Sequence, residues 1–237
     1  MQSTLPPCRM RVARVGAERR SRGAAALLAT ALLLGLSDGV CAATAAPAGF
    51  VGAERLRLNG WPAGAPSPDF SLRDTRGAPR TMQSFRGYIT IVTFGYANCP
   101  DACSLELQKL AVAMHRLGAL RSNVRVLFVT LDPARDTPTL LGKFVHSFDP
   151  TFIALRGTSK QTNEAISSFS LESERLGGDG GKGGYLIDHT IEEFVFDRGG
   201  RLRLVGAAAS TAVDIAHDLA ALITGPGRTA QAAVPLR

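Results

Sequence analysis

The sequence predicts an α/β fold in which a mixed central sheet is flanked by helices. Two apolar, β-branched runs, Tyr88–Phe94 and Val124–Leu131, have the composition of strands that are buried on both faces. Amphipathic segments that begin at helix-capping residues follow these runs. A hairpin pattern and a last helix follow. This order of strands and helices is typical of a fold in which helices pack on a mixed sheet.

The elements before the second run follow from periodicity. Asp69–Arg73 is predicted as a short strand that ends in a turn at 74–77. The first buried strand leads into a helix from about Ala102 to Gly118, because apolar residues recur there at helical spacing. The second buried strand comes next.

The later elements follow from capping and turn chemistry. Thr137 with Pro138, Thr158 with Gln161, and Thr211 with Asp214 are helix starts. The elements predicted in this region are a helix to about Phe148, a strand at Phe152–Leu155, a helix to about Phe169, a hairpin of Ile191–Asp197 with Arg201–Val205, and a helix to Ile223.

Cys99 and Cys103 lie four residues apart, where the first buried strand gives way to the first helix. A helix N-terminus presents unpaired N–H groups and a partial positive charge, so we expect it to lower the pKa of these thiols. The pair can hold a soft metal ion, carry out thiol–disulfide exchange or form a structural disulfide. A structural disulfide would close a very short loop and would add little stability.

The spacing of the pair bears on both chemistries. Residues four apart on a helix have Cβ atoms about 5–6 Å apart, so two thiolates can straddle one metal ion. A disulfide needs about 3.5–4.5 Å and therefore a deformation, unless Cys99 lies in the turn ahead of the helix, where Pro100 would help to place it. A cysteine pair at this junction fits a thioredoxin-like arrangement.

Residues 1–42 have the pattern of a signal peptide, since six Arg precede the apolar run Ala24–Leu36 and small residues follow it. An uncleaved N-terminal anchor is the alternative. A signal peptide and an anchor would both export the domain to the periplasm or an equivalent compartment. In both cases, we expect only this segment to contact the membrane. We expect residues 43–67 to be an irregular lead-in, residues 68–224 the folded domain and residues 225–237 a disordered tail.

The basic net charge of +7 belongs largely to the N-terminal segment. Its six Arg, with Glu18 and Asp38, contribute +4, which leaves +3 for the rest of the chain. Because that part has no long basic run, the composition argues against nucleic-acid binding. Cys8 and Cys41 also lie in this segment, so the exported domain keeps one close pair of cysteines.

Two further features are interpreted as structural. Gly178–Gly183 has the spacing of a dinucleotide-binding motif, but no strand precedes it and no helix follows, so we expect a flexible loop. His115, His146 and His217 fall inside predicted helices. His189 differs, because it stands at a predicted strand start directly after the glycine-rich region.

Four motifs resemble the Sco/SenC copper chaperones of the thioredoxin-like superfamily, in family order. They are Pro68–Leu72, Phe94–Tyr96 with Cys99 and Cys103, Val129–Thr137, and Asp188–Thr190. The resemblance extends from Pro68 to about Val205. The chain departs from it at Ala97, Asn98 and Ser104, where Thr, His and Pro are usual, and none of these is a ligand position.

The resemblance implies that Cys99, Cys103 and His189 are copper ligands. Cu(I) prefers thiolates and accepts imidazole. It further implies a metallochaperone rather than a turnover enzyme. The copper would go to the binuclear copper centre of cytochrome c oxidase, with the copper-bearing oxidase subunit and other copper chaperones as partners. A thiol–disulfide oxidoreductase that reduces the cysteines of that subunit and a redox or copper sensor remain open.

Four acidic or basic residues lie within these motifs. Asp188 is the candidate partner for the other ring nitrogen of His189, since ligand histidines usually donate that N–H. Neighbouring residues of a strand point to opposite faces, so Asp188 can orient the ring only where the backbone is irregular. Asp132, Arg135 and Asp136 are interpreted as residues that fix the loop after the second buried strand.

Overall fold

The structure is a computed structural model that describes residues 56–177 and 184–225. The predicted signal peptide, most of the lead-in, the glycine-rich motif and the tail from residue 226 lie outside the described residues. Within these two ranges, no helix combines the length and the apolar character that crossing a membrane requires.

A mixed sheet forms the centre of the fold. The strands of the described residues are β1 (Asn59–Gly60), β2 (Leu72–Asp74), β3 (Pro79–Arg80), β4 (Ile89–Gly95), β5 (Val124–Thr130), β6 (Ile153–Arg156), β7 (Ser173–Leu176), β8 (Leu186–His189), β9 (Glu192–Phe196) and β10 (Leu202–Ala207). Eight of them pair in the order β1-β10-β9-β4-β5-β6-β2-β3. β4, β5 and β6 are parallel and the other pairs antiparallel, so the predicted mixed sheet is confirmed.

Among the described residues, the last three helices begin where the capping residues predict. In the part of the chain that the structure describes, the helices are α1 (Ala102–Arg116), α2 (Pro138–His146), α3 (Ser159–Ser168) and α4 (Ala212–Thr224). The hydroxyls of Thr137, Thr158 and Thr211 each accept the N–H three residues later at 3.2 Å, which satisfies one free donor of each helix start. α1 and α4 pack against each other, and α2 packs against β6.

The core explains why the two apolar runs become the central strands. Every residue of β4 is buried, and β5 has a single half-buried position. The Phe169 ring meets Phe94 and Phe194 edge-to-face, with ring centroids 5.0 Å apart in each pair. This packing holds the end of β4, which leads to the cysteines.

Two predicted elements differ in the structure. β2 begins at Leu72 and not at Asp69, because the Asp69 N–H donates to Ser168 and its carboxylate accepts the Met82 N–H, which places this residue outside the ladder. His189 ends a strand instead of starting one. β7 and β8 form a separate two-stranded sheet, and all four residues of β7 are exposed, so β7 lacks the apolar alternation that marks a strand.

A buried cluster of charged groups lies between α1 and the sheet. Lys109 forms an ion pair with Glu106 at 2.8 Å, and its ammonium group also contacts the carboxyl group of Glu193, whose side chain is fully buried. Glu193 faces Gly206 on β10, where a Cβ would lie 2.1 Å from Glu193 Oε2. Burial, together with the nearby Glu106 carboxylate, raises the pKa of Glu193 to about 8.

We expect Glu193→Gln to flatten the pH dependence of stability. A carboxyl whose pKa is raised in the folded state stabilises fully below its unfolded pKa, near 4.5, and that stability is lost as pH rises through about 8. The contribution falls by as much as about 1.4 kcal/mol per pH unit. Urea denaturation at pH 5, 6.5 and 8 measures the slope, with the exposed Glu164→Gln as control. Equal slopes for the wild type and Glu193→Gln would contradict a raised pKa of Glu193 in the folded state.

Candidate metal centre

Cys99 lies in the turn between β4 and α1. Its N–H donates to the Tyr96 carbonyl at 3.2 Å, which closes the turn, and α1 begins only at Ala102. The cysteines are therefore not two positions of one helix. The structure shows the alternative in which Cys99 precedes the helix, with Pro100 directly after it.

Cys103 is the second residue of α1 and is buried. Its N–H, one of the free donors of the helix start, donates to Cys99 Sγ at 3.4 Å, and both thiols are free. Gly95 makes room for its sulfur, since a Cβ there would lie 2.7 Å from Cys103 Sγ. The end of β4 thus fixes the place of this side chain.

The expectation that the helix N-terminus lowers the thiol pKa is wrong for Cys103. Burial raises the pKa of this thiol far above its usual value, and the adjacent Cys99 sulfur and the Asp136 carboxylate raise it further. Removal of the thiol from water outweighs the helix dipole, because the dipole is a partial charge and burial removes the full hydration of the thiolate.

His189 reaches the cysteines from the end of β8. Its Nδ1 lies 2.9 Å from the Thr190 carbonyl, an acceptor only, so Nδ1 carries the proton and donates it there. Its Nε2 then presents a lone pair, and it lies 3.8 Å from Cys103 Sγ. The Tyr96 ring packs edge-to-face on the imidazole, with centroids 6.4 Å apart.

Asp188 occupies the opposite side of its strand. Its side chain is exposed, and Asp188 lies opposite Glu174 in the β7–β8 ladder, while the His189 ring is held by a backbone carbonyl. The regular alternation of β8 gives this placement. A role for Asp188 beside a bound ion stays a prediction.

The two thiols and the imidazole are suitable ligands for a soft metal ion, although the three side chains do not surround a single point. Cys103 contacts both Cys99 and His189, yet among residues 56–177 and 184–225 no three acidic, His or Cys side chains surround one point. Metal–sulfur and metal–nitrogen bonds of about 2.3 and 2.0 Å are compatible with the 3.8 Å between Sγ and Nε2. Two sulfurs and an imidazole are the ligands that Cu(I) prefers.

A cleft of about 310 Å³ opens beside the cysteines. Cys99 and His189 line it with the exposed Leu176 and Leu186 of the β7–β8 ribbon. Cys99 is half-buried, so it is the sulfur that an incoming molecule meets first.

The loop after β5, which the sequence predicts Asp132, Arg135 and Asp136 to fix, also contacts the cysteine turn. Asp136 is fully buried, and its carboxylate accepts the Ala97 N–H at 3.1 Å and the Thr130 hydroxyl at 2.6 Å. The Leu131 N–H donates to the Gly95 carbonyl at 2.7 Å.

The remaining histidines are helical, as predicted. His115 and His146 are exposed on α1 and α2, and His217 on α4 interacts with the Asp218 carboxylate at 2.7 Å. The sequence interpretation missed Tyr185 and Tyr96, which contact the segment that carries His189. The Tyr-x-x-Asp-His spacing before His189 is the one signal for Tyr185.

The fold and the cysteine turn define a thioredoxin-like protein, with a cysteine pair at the junction of a central strand and its following helix. The SCO1/SenC family profile matches residues 62–224, and the chain belongs to this family.

Individual relatives agree with this assignment. The SCO2-like protein RP587 of Rickettsia prowazekii is 31% identical over 132 residues, which are 56% of this chain and 64% of that protein. The chain thus spans less than two thirds of the length of this relative.

Solved structures show the same fold. ScoI of Bradyrhizobium japonicum with copper bound is 30% identical, has a TM-score of 0.60 and aligns with 66% of this chain and 98% of its own. Apo Sco1 of Thermus thermophilus is 31% identical, has a TM-score of 0.63 and aligns with 70% and 98%.

Proposed function

We propose that this chain is a copper metallochaperone that binds one copper ion through Cys99, Cys103 and His189. The single observation that carries the proposal is the position of His189 Nε2, which lies 3.8 Å from Cys103 Sγ while Nδ1 of the same ring lies 2.9 Å from the Thr190 carbonyl. Family membership and the copper-bound Bradyrhizobium relative support copper as the ion.

The chain's own residues control how the ion is held. Both thiols must lose their protons to bind it, so loading releases protons, and the raised pKa of Cys103 makes it the harder thiol to ionise. The two thiolates and the neutral imidazole give Cu(I) a net charge of −1, which the helix N-terminus partly offsets. The Thr190 carbonyl keeps the His189 tautomer that leaves Nε2 unprotonated.

The open cleft supports release to another protein. A carrier must let an acceptor's ligands reach the metal, and Cys99 is exposed enough for such contact. The Sco family is linked to cytochrome c oxidase assembly. We therefore propose the binuclear copper centre of the oxidase as the destination, the copper-bearing subunit as the acceptor and other copper chaperones as the source.

A second candidate function is thiol–disulfide exchange, which the unequal burial of the cysteines favours. The Cys99 thiolate would attack a disulfide of the oxidase subunit and displace one thiolate of that subunit, forming a mixed disulfide. Cys103 would then attack Cys99, leaving a Cys99–Cys103 disulfide and a reduced subunit. Each cycle uses two electrons, which an external dithiol reductant must restore.

We also propose that the domain is exported and that residues 1–42 direct it. The arginine-rich start and the apolar run Ala24–Leu36 support this proposal. Both functions suit such a compartment, where a lone cysteine pair meets oxidants and metal ions.

Complementation of bacterial cells that lack their own Sco protein tests the function. The wild-type chain is expected to restore cytochrome c oxidase activity at limiting copper, and Cys103→Ser is expected not to. The mass of the chain recovered from periplasmic and membrane fractions shows whether residues 1–42 are removed. Full restoration by Cys103→Ser, or recovery of the chain from the cytoplasm alone, would contradict the proposal.

A further inference from the structure

The ribbon that carries His189 stands apart from the central sheet. β7 and β8 pair with each other, and in the described residues neither pairs with a strand of the eight-stranded sheet. The ladder of the main sheet begins again at Glu192, three residues after His189, and does not include the ribbon itself. Side-chain contacts are therefore needed to hold the ribbon against the cysteine turn.

The loop after β5 supplies these contacts. The guanidinium of Arg135 forms an ion pair with Asp132 and donates from Nη1 to the Tyr185 carbonyl at 2.9 Å. The Tyr185 hydroxyl donates to the other oxygen of Asp132 at 2.6 Å. Asp132 is fully buried, so its carboxylate is held in one position between the two partners.

Two arginine side chains stack on the Tyr185 ring and add contacts between the loop and the ribbon. Arg135 lies 3.7 Å from the centre of the Tyr185 ring and Arg175 of β7 lies 3.8 Å from it, so the two cations must occupy opposite faces. Tyr96, next to the cysteine turn, accepts the Ile187 N–H at 3.2 Å. Tyr185 therefore joins the β5 loop to both strands of the ribbon, four residues before His189.

We propose that Asp132, Arg135 and Tyr185 form a clamp that positions His189 against Cys103. The same loop holds the cysteine turn through Asp136 and Ala97, so one rigid segment sets both halves of the site. Arg135 is a positioning residue because it acts on His189 through the ribbon. The expected effects on copper affinity rest on the proposed copper function. The expected effect on the flexibility of the β7–β8 ribbon rests on the geometry alone.

Two conservative variants of the full chain separate the contacts. Arg135→Lys keeps the charge and loses the planar fork and the stacking. Tyr185→Phe keeps the ring and loses the hydrogen bond to Asp132. Arg125→Lys is the matched control, because Arg125 stacks on Tyr88 at 3.6 Å at the other end of the central strands.

The first readout needs no metal. Amide hydrogen exchange in the metal-free protein is expected to speed up about tenfold in Ser173–Leu176 and Leu186–His189 for both clamp variants, while β4 and α1 stay unchanged. The control should leave the ribbon unchanged. Wild-type protection of the ribbon in both clamp variants would overturn the proposal, and so would an equal loss in the control.

The second readout is a double-mutant cycle with Cu(I) as the probe. Competition with a chromophoric chelator is expected to show a 10–100-fold weaker affinity for Arg135→Lys than for the wild type. In a His189→Ala background the same change should have no further effect, because there is no ligand left to position. Equal losses in both backgrounds would mean that Arg135 supports the fold only and would overturn the clamp. If the wild type binds no copper, the copper proposal fails and the exchange experiment alone decides the clamp.

Discussion

Cys103→Ser is expected to lower the affinity for copper at least about 100-fold and to remove one-to-one binding. Changes beyond the direct ligands of a metal already cost about 10–100-fold, and this substitution removes a direct ligand. A serine oxygen is a hard donor that stays protonated, whereas Cu(I) selects soft thiolates. The Cys103 sulfur also lies 3.8 Å from His189 Nε2, so the substitution removes the sulfur that the imidazole faces.

The measurement is a Cu(I) titration of the reduced chain in a Cys8→Ser, Cys41→Ser background, which keeps only the proposed pair. That background should still bind one copper ion. Cys99→Ser should behave like Cys103→Ser, and circular dichroism checks that each variant is folded. Unchanged one-to-one binding by both single variants would remove the pair from the site.

His189→Ala is expected to lose copper while keeping the redox chemistry of the cysteines. The affinity for copper should fall at least about 10–100-fold, since the imidazole is a direct ligand in the proposed site. Thiol–disulfide exchange needs only the two cysteines, so the reduction potential of the pair should stay close to that of the wild type.

This variant separates the two candidate functions. In copper-limited cells that lack their own Sco protein, His189→Ala should fail to restore oxidase activity if copper delivery is the function. The wild type and Arg125→Lys serve as positive controls, and a redox titration confirms that the pair still oxidises and reduces. Full restoration by His189→Ala would replace the metallochaperone with the reductase.

The fold could be predicted from the sequence where the local sequence pattern agrees with the burial of the residues in the structure. β4 and β5 are continuous apolar runs because both faces of each are covered, and the threonines that start α2, α3 and α4 cap them as predicted. Cys99 and Cys103 stood out because their spacing lies at a strand–helix junction. Their closeness to His189 came only from the resemblance, since 86 residues separate His189 from Cys103.

The features that escaped prediction depend on contacts between distant segments. The exposed strand β7 carries no apolar pattern, so its pairing with β8 could not be read from composition. The raised pKa of Cys103 follows from the burial of its sulfur beside Gly95, which no local rule reports. Tyr185 gains its role from Asp132 and Arg135, which lie about fifty residues earlier.

X-ray absorption at the copper edge of the chain loaded with one equivalent of Cu(I) tests the central claim most directly. The site proposed here predicts two sulfur ligands and one imidazole nitrogen. His189→Ala should remove the imidazole scattering, and Cys99→Ser, which is expected to lose one-to-one binding, should lose the coordination by two sulfurs and one imidazole. A spectrum with nitrogen and oxygen ligands alone, or one that neither variant changes, would show that copper binds elsewhere and would contradict the account.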